Sequence, residues 1–298
     1  MAAPARGTQL LVGHMGWLFR QPGLLALEVG WRWALGIPLL MACWSQAQEI
    51  LRVVTPDAAG LTSIDAQNPW VAAAQLASAW TMYQPHVQAV LEWLIPSAAL
   101  AWVVAAGVGR SLLLSQMEQQ LRFRPAAVTA LYAAQMALMA LVFWGWFRAE
   151  AWAAATHISA AGEPDLVGYA GWTIFFTLGF FVLWALVSWP LTVAPVVLLL
   201  EECSVAQALK RSFKLGKAFR GKLIEINLVM GIVTLALLVV AMVLSAAPLP
   251  FSDQLGPEAM HIVWGGATLF YLVASDFFQV LRLKSFIEFW WIFRGRPL

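Results

Sequence analysis

The chain has 298 residues, of which 61% are apolar and only 11% charged, and its formal net charge is +2. A soluble domain carries about 25% charged residues, so the composition excludes an ordinary soluble enzyme, and so small a net charge excludes the basic surface that nucleic acid requires. The apolar residues fall in runs of about 20, the number that crosses ~30 Å of hydrocarbon, and this identifies a polytopic membrane protein.

In chain order, residues 1–23 hold Arg6, the short apolar stretch "LLVGHMGWLF" and Arg20. No cleavage site follows, so this reads as a retained, cytoplasmic amphipathic segment rather than a signal peptide. The first span is expected over 24–47. The connection 48–89 is longer than the others, and its "NPWVAAAQLASAW" predicts a helix lying on the outer surface with Trp70 and Trp80 at headgroup level. Further spans are expected over 90–109, 126–147, 169–200, 223–246 and 261–281, with 282–298 a cytoplasmic tail. The fourth span is over-long and contains Pro190 and Pro195, which predicts a bend. No Pro/Gly/Ser-rich linker divides the chain, so 1–298 reads as a single integral membrane domain. The fold class is all-α, with about six transmembrane helices plus interfacial amphipathic helices.

Orientation follows the placement of Lys and Arg. One side collects Arg6, Arg20, Arg32, Arg110, Arg122, Arg124, the six cations of 204–222, Arg282, Lys284, Arg294 and Arg296; the other holds only Arg52 and Arg148. Both termini are therefore expected in the cytoplasm, in a bacterial-type inner membrane. Many of the seventeen tryptophans, such as Trp31, Trp44, Trp93, Trp144 and Trp264, fall near span ends, as aromatic belts do.

The stretch "SVAQALKRSFKLGKAFRGK" (204–222) concentrates Lys210, Arg211, Lys214, Lys217, Arg220 and Lys222 between two apolar runs. Ser204 followed by Gln207 is a capping-box pattern, so a helix is expected to start there. Val205, Ala208, Leu209, Ser212 and Phe213 share one face, with cations on the other. Such a helix is expected to lie in the interface, apolar side toward lipid, its cations on anionic headgroups. Topology marking alone is the competing explanation.

The segment 195–227, with Ala-Leu-Lys-Arg-Ser at 208–212 followed by an aromatic, a basic turn and a new span, resembles the membrane domain attached to some glycerophosphoryl diester phosphodiesterases and related stand-alone membrane proteins of unknown function. The resemblance implies a multi-span fold in a lipid context. It implies no catalytic residue, because the soluble phosphodiesterase barrel is not expected within 1–298.

Ionisable groups inside spans are costly and are usually paired or functional. Glu28 and Arg32 are four residues apart on one helix face and read as a ready ion pair, structural or lining a cavity. Asp276 has no cation within a helical turn, so it is expected to face the bundle interior and meet Arg110 or Arg32. His86, His157 and His261 all fall on the outer side, but without the spacing of a metal site, so no metal and no cofactor is expected. No nucleophile elbow, phosphate-binding glycine loop or paired carboxylates beside a histidine occurs, so no catalytic residue is assigned. The expected function is a non-enzymatic, lipid-contacting scaffold, accessory subunit or regulator. Its expected partners are anionic membrane lipids and either membrane proteins or further copies of itself, with no nucleic acid. The alternative is a small-solute or lipid transporter with a cavity around Glu28, Arg32, Asp276 and the proline bend.

Overall fold

The computed structural model describes residues 7–64, 69–158, 165–214, 217–246 and 257–293. Among these residues the regular structure is entirely helical: α1 Gly7–Phe19, α2 Pro22–Val53, α3 Pro69–Met117, α4 Pro125–His157, α5 Leu166–Leu200, α6 Val205–Phe213, α7 Lys217–Ala246 and α8 Pro257–Phe293. A helix satisfies its own backbone polar groups, which hydrocarbon demands. By length and composition α2, α3, α4, α5 and α7 can each cross a membrane. The segment 261–281, expected as a sixth span, lies within α8.

Two boundaries differ from the sequence expectation. The expected surface helix is no separate element: α3 runs unbroken for 49 residues through Pro85 and Pro96. At 1.5 Å per residue that is about 73 Å, well beyond the hydrocarbon thickness. Each proline removes one backbone bond, and the Ala, Leu and Gln around them keep the helix going. The expected tail from 282 is helical as far as Phe293. Leu283, Phe286, Ile287 and Trp290 recur at helical spacing and are all buried, so this stretch belongs to the core.

The helices group into two compact units, 31–106 and the rest of the chain. In the larger unit α4 packs on α5 and α7 on α8; α1 lies on α7 and α8, α6 on α5 and α4, and α5 meets α8. The shared core gathers one end of these helices: Leu18, Leu113 and Leu114, Val128 and Leu131, Val193 to Leu199, Ile226, and Val280 to Ile287. Every segment in that group adjoins a connection or terminus expected on the cytoplasmic side. Toward their other ends the same helices expose Trp144, Phe147, Phe175, Phe181, Ile232 and Phe270. One position fixes a close helix approach: a Cβ on Gly107 would collide with the backbone and hydroxyl of Thr129 on α4. Pro190 and Pro195 both lie within continuous, buried helix near the end of α5.

In the smaller unit the turn after α2 brings Val54 and Ala59 against Ala79 of α3, with Leu61 and Tyr83 packed on them. Gly60 takes a left-handed φ of 71° that only glycine adopts without strain. The Tyr83 hydroxyl donates to the Val54 carbonyl at 3.1 Å, and the Trp31 and Trp102 rings lie 5.9 Å apart.

Candidate functional site

The most deeply buried charges of the larger unit form a forked pair. The Arg110 guanidinium donates to both Glu28 carboxylate oxygens, at 3.3 Å and 3.0 Å, with Tyr132 of α4 beside it. Glu28 is 0% exposed and Arg110 3%. Two parallel charge-assisted bonds are the geometry that a guanidinium and a carboxylate favour. One partner of Glu28 therefore comes from α3, 82 positions along the chain, and Glu28 points into the core. Asp276 is buried as expected, at 4% exposure, while Arg110, one of its two expected counter-ions, is held by Glu28. These groups sit inside a packed apolar core.

The basic stretch starts as its sequence demands. The Ser204 hydroxyl accepts from the Gln207 N–H and the Gln207 side chain accepts from the Ser204 N–H, which is a complete capping box. The apolar face of α6 does not face lipid, however. Ala208 and Ser212 are fully buried, and Val205 and Leu209 pack on the core. Packing on α5 and α4 buries this face and leaves only Phe213 of it outward. The cations divide accordingly. Arg211 pairs with Glu201, and that hydrogen bond raises the guanidinium above its ordinary range. Lys210 and Lys214 are exposed. The side chains of Lys217, Arg220 and Lys222 lie outside the described residues.

Cations of the α3–α4 connection tie down the same joint. Arg124 donates to the Cys203 carbonyl at 3.2 Å, and its own N–H donates to the Ser111 hydroxyl. Arg122 lies 3.4 Å from Glu202, whose φ of 47° is the left-handed turn that redirects the chain from α5 into α6. Burial pushes the Cys203 thiol up, keeping it protonated. Both Cys43 and Cys203 are free.

The histidines serve separate contacts. His14 of α1 pairs with Glu288 and lies 3.2 Å from the Ser285 hydroxyl, docking α1 on α8. Nearby, Lys284 covers the Trp17 ring at 5.2 Å. His157 meets the Asp165 carboxylate at 3.0 Å. Asp165 also caps α5 through the Gly168 N–H, and these bonds hold its carboxyl below the usual carboxylate range. His261 faces the Trp264 ring. Among the described residues no three His, Cys, Asp or Glu side chains converge to hold a metal.

Two cavities bear on function. One, about 490 Å³, lies between α4 and α5 and is almost entirely apolar, walled by residues such as Leu141, Trp146, Phe176 and Phe180. The other, about 580 Å³, lies between α5, α7 and α8 and is mixed. Asn227, Gly231 and Thr234 line it from α7, Ser275, Gln279 and Arg282 from α8. From α5 it receives Ser188 and Thr192; the Thr192 hydroxyl donates back to the Ser188 carbonyl at 3.0 Å. No carboxylate lines it. The sequence reading missed this group. Its signal is a stripe at i, i+4, i+7 on each helix, 275/279/282 and 227/231/234, neutral enough to escape a search for charges.

The chain matches no protein-family model, no curated protein and no solved structure.

Proposed function

We propose that the protein is a non-enzymatic, lipid-contacting integral membrane protein of a bacterial-type cytoplasmic membrane, acting as a scaffold, accessory subunit or regulator. The observation that carries this reading is the sealing of Glu28, Arg110 and Asp276 inside an apolar core. Charges placed there hold helices together; a transport path would leave them on a cavity. In this reading α8 supplies a sixth span, both termini face the cytoplasm, and the tied end of the larger unit lies at the inner leaflet. The resemblance of 195–227 to phosphodiesterase-associated membrane domains supports the lipid context. Purification of the full chain in mild detergent, with identification of co-purifying lipids and proteins, tests the proposal. Recovery with phospholipid and with a stoichiometric protein partner or a second copy is the expected result; recovery free of all of these overturns it.

The mixed cavity between α5, α7 and α8 favours a second reading, a transporter of a small solute or lipid. Counterflow of labelled solutes or lipids across reconstituted vesicles distinguishes the two.

A further inference from the structure

The cavity between α5, α7 and α8 has a polarity gradient. On α8 the lining runs from Arg282 through Gln279 to Ser275; on α7 it runs from Asn227 through Thr234 to Leu238. Arg282 and Asn227 belong to the ends of these helices that join the packed core, while Leu235 and Leu238 are exposed at the rim. The side-chain amides of Asn227 and Gln279 have no hydrogen-bonding partner among the described residues, although both face the cavity. Polar groups at membrane depth are costly unless something meets them. The donors present are a guanidinium, two amides and hydroxyls, and the lining contributes no carboxylate that would repel an anion. A volume of about 580 Å³ suits a headgroup and the first part of a chain, leaving the rest of the chain along Leu235 and Leu238.

We propose that this crevice is a binding site for one anionic phospholipid, with its phosphate headgroup among Arg282, Asn227 and Gln279 and an acyl chain leaving past Thr234 and Leu238. The proposal rests on the lipid-contacting reading above and gives it a specific site and ligand class. Gly231 offers a steric test, because a Cβ there meets nothing within 4 Å and a larger side chain would project into the crevice.

The test uses the full chain in detergent, titrated with phosphatidylglycerol or phosphatidylcholine and read by native mass spectrometry, with inorganic phosphate as competitor. The wild type is expected to take one phosphatidylglycerol about tenfold more tightly than phosphatidylcholine, undisturbed by millimolar phosphate. Gly231→Leu and, independently, Asn227→Leu/Gln279→Leu are expected to weaken that one binding event tenfold or more with an unchanged helical spectrum. Should the double variant fail to fold, Gly231→Leu decides. Undiminished binding by folded variants overturns the crevice while leaving lipid contact elsewhere intact. A wild type that binds no phospholipid overturns both this proposal and the lipid-contacting reading. Displacement by phosphate alone overturns the assignment to a lipid.

Discussion

Neither Glu28 nor Arg110 would be stable alone at 0% and 3% exposure. Removing one partner of such a pair leaves an uncompensated buried charge, which costs about 3–5 kcal/mol, whereas replacing both by apolar side chains is often neutral. Glu28→Gln is therefore expected to lower the unfolding temperature in detergent sharply, and Glu28→Met/Arg110→Met to recover most of the loss. A double variant as unstable as the single one would show that the pair acts through more than charge compensation. At the N-terminal end of α5, Asp165 titrates below the usual carboxylate range because the Gly168 N–H and His157 hold its charged form. A depressed pKa means that this contribution is complete above the ordinary carboxylate range and is lost as the pH falls through the folded value. The first turn of α5 is thus expected to loosen in that acidic window, as read by amide exchange. Asp165→Asn, which can still cap but cannot titrate there, is expected to remove the pH dependence. The sequence pointed to Asp276 as inward-facing because an ionisable group in an apolar run has few other places to go, and it read Glu28 as paired with Arg32. It did not pair Glu28 with Arg110, since the two are 82 positions apart and their meeting depends on how the helices pack.

α6 shows which part of an element local sequence controls. Ser204 and Gln207 fix its start, and the structure contains the full capping box. Amphipathicity fixes that one face is buried, but it does not say whether lipid or protein buries it. Here protein does, because Ala208 and Ser212 are small enough for close approach to the neighbouring helices. The same limit explains α3 and α8, where composition marked a hydrophobic window and missed that each helix continues past it. Once α6 is docked, only part of its charge is left for headgroups. Lys210 and Lys214 are exposed, and each is worth about 1 kcal/mol near an anionic leaflet. Lys210→Gln/Lys214→Gln is expected to weaken association of detergent-solubilised protein with phosphatidylglycerol vesicles by roughly thirtyfold, relative to neutral vesicles, without changing the unfolding temperature. Unchanged association would leave these lysines only an orienting role. Gly107→Leu should act differently: it forces α3 away from Thr129 of α4 and is expected to cost about 1–3 kcal/mol of stability with no change in lipid preference.

Across the larger unit, the ends that gather the core also gather positive charge, and much of that charge has a structural partner. Arg110 holds Glu28, Arg124 the Cys203 carbonyl, Arg122 lies by Glu202, Arg211 on Glu201, and Lys284 near Glu118 at 4.0 Å. A cation engaged in this way still counts during insertion, since the positive-inside bias follows Lys and Arg rather than net charge. On the orientation proposed above, the one cluster would serve two purposes, setting orientation as the chain is inserted and joining helix ends once it has folded. Orientation is the part open to a direct test. Lys214 and Val167 are both exposed, the latter at 85%, and they lie at opposite ends of the α5–α6 segment. Single cysteines at these two positions, in a background with Cys43→Ser and Cys203→Ala, report opposite sides. In intact cells Val167→Cys is expected to react with a membrane-impermeant maleimide, and Lys214→Cys only after the membrane is opened. The reverse pattern would invert the assignment, place the tied end of the larger unit at the outer leaflet, and move the anionic headgroup proposed for the α5–α7–α8 crevice to that leaflet with it.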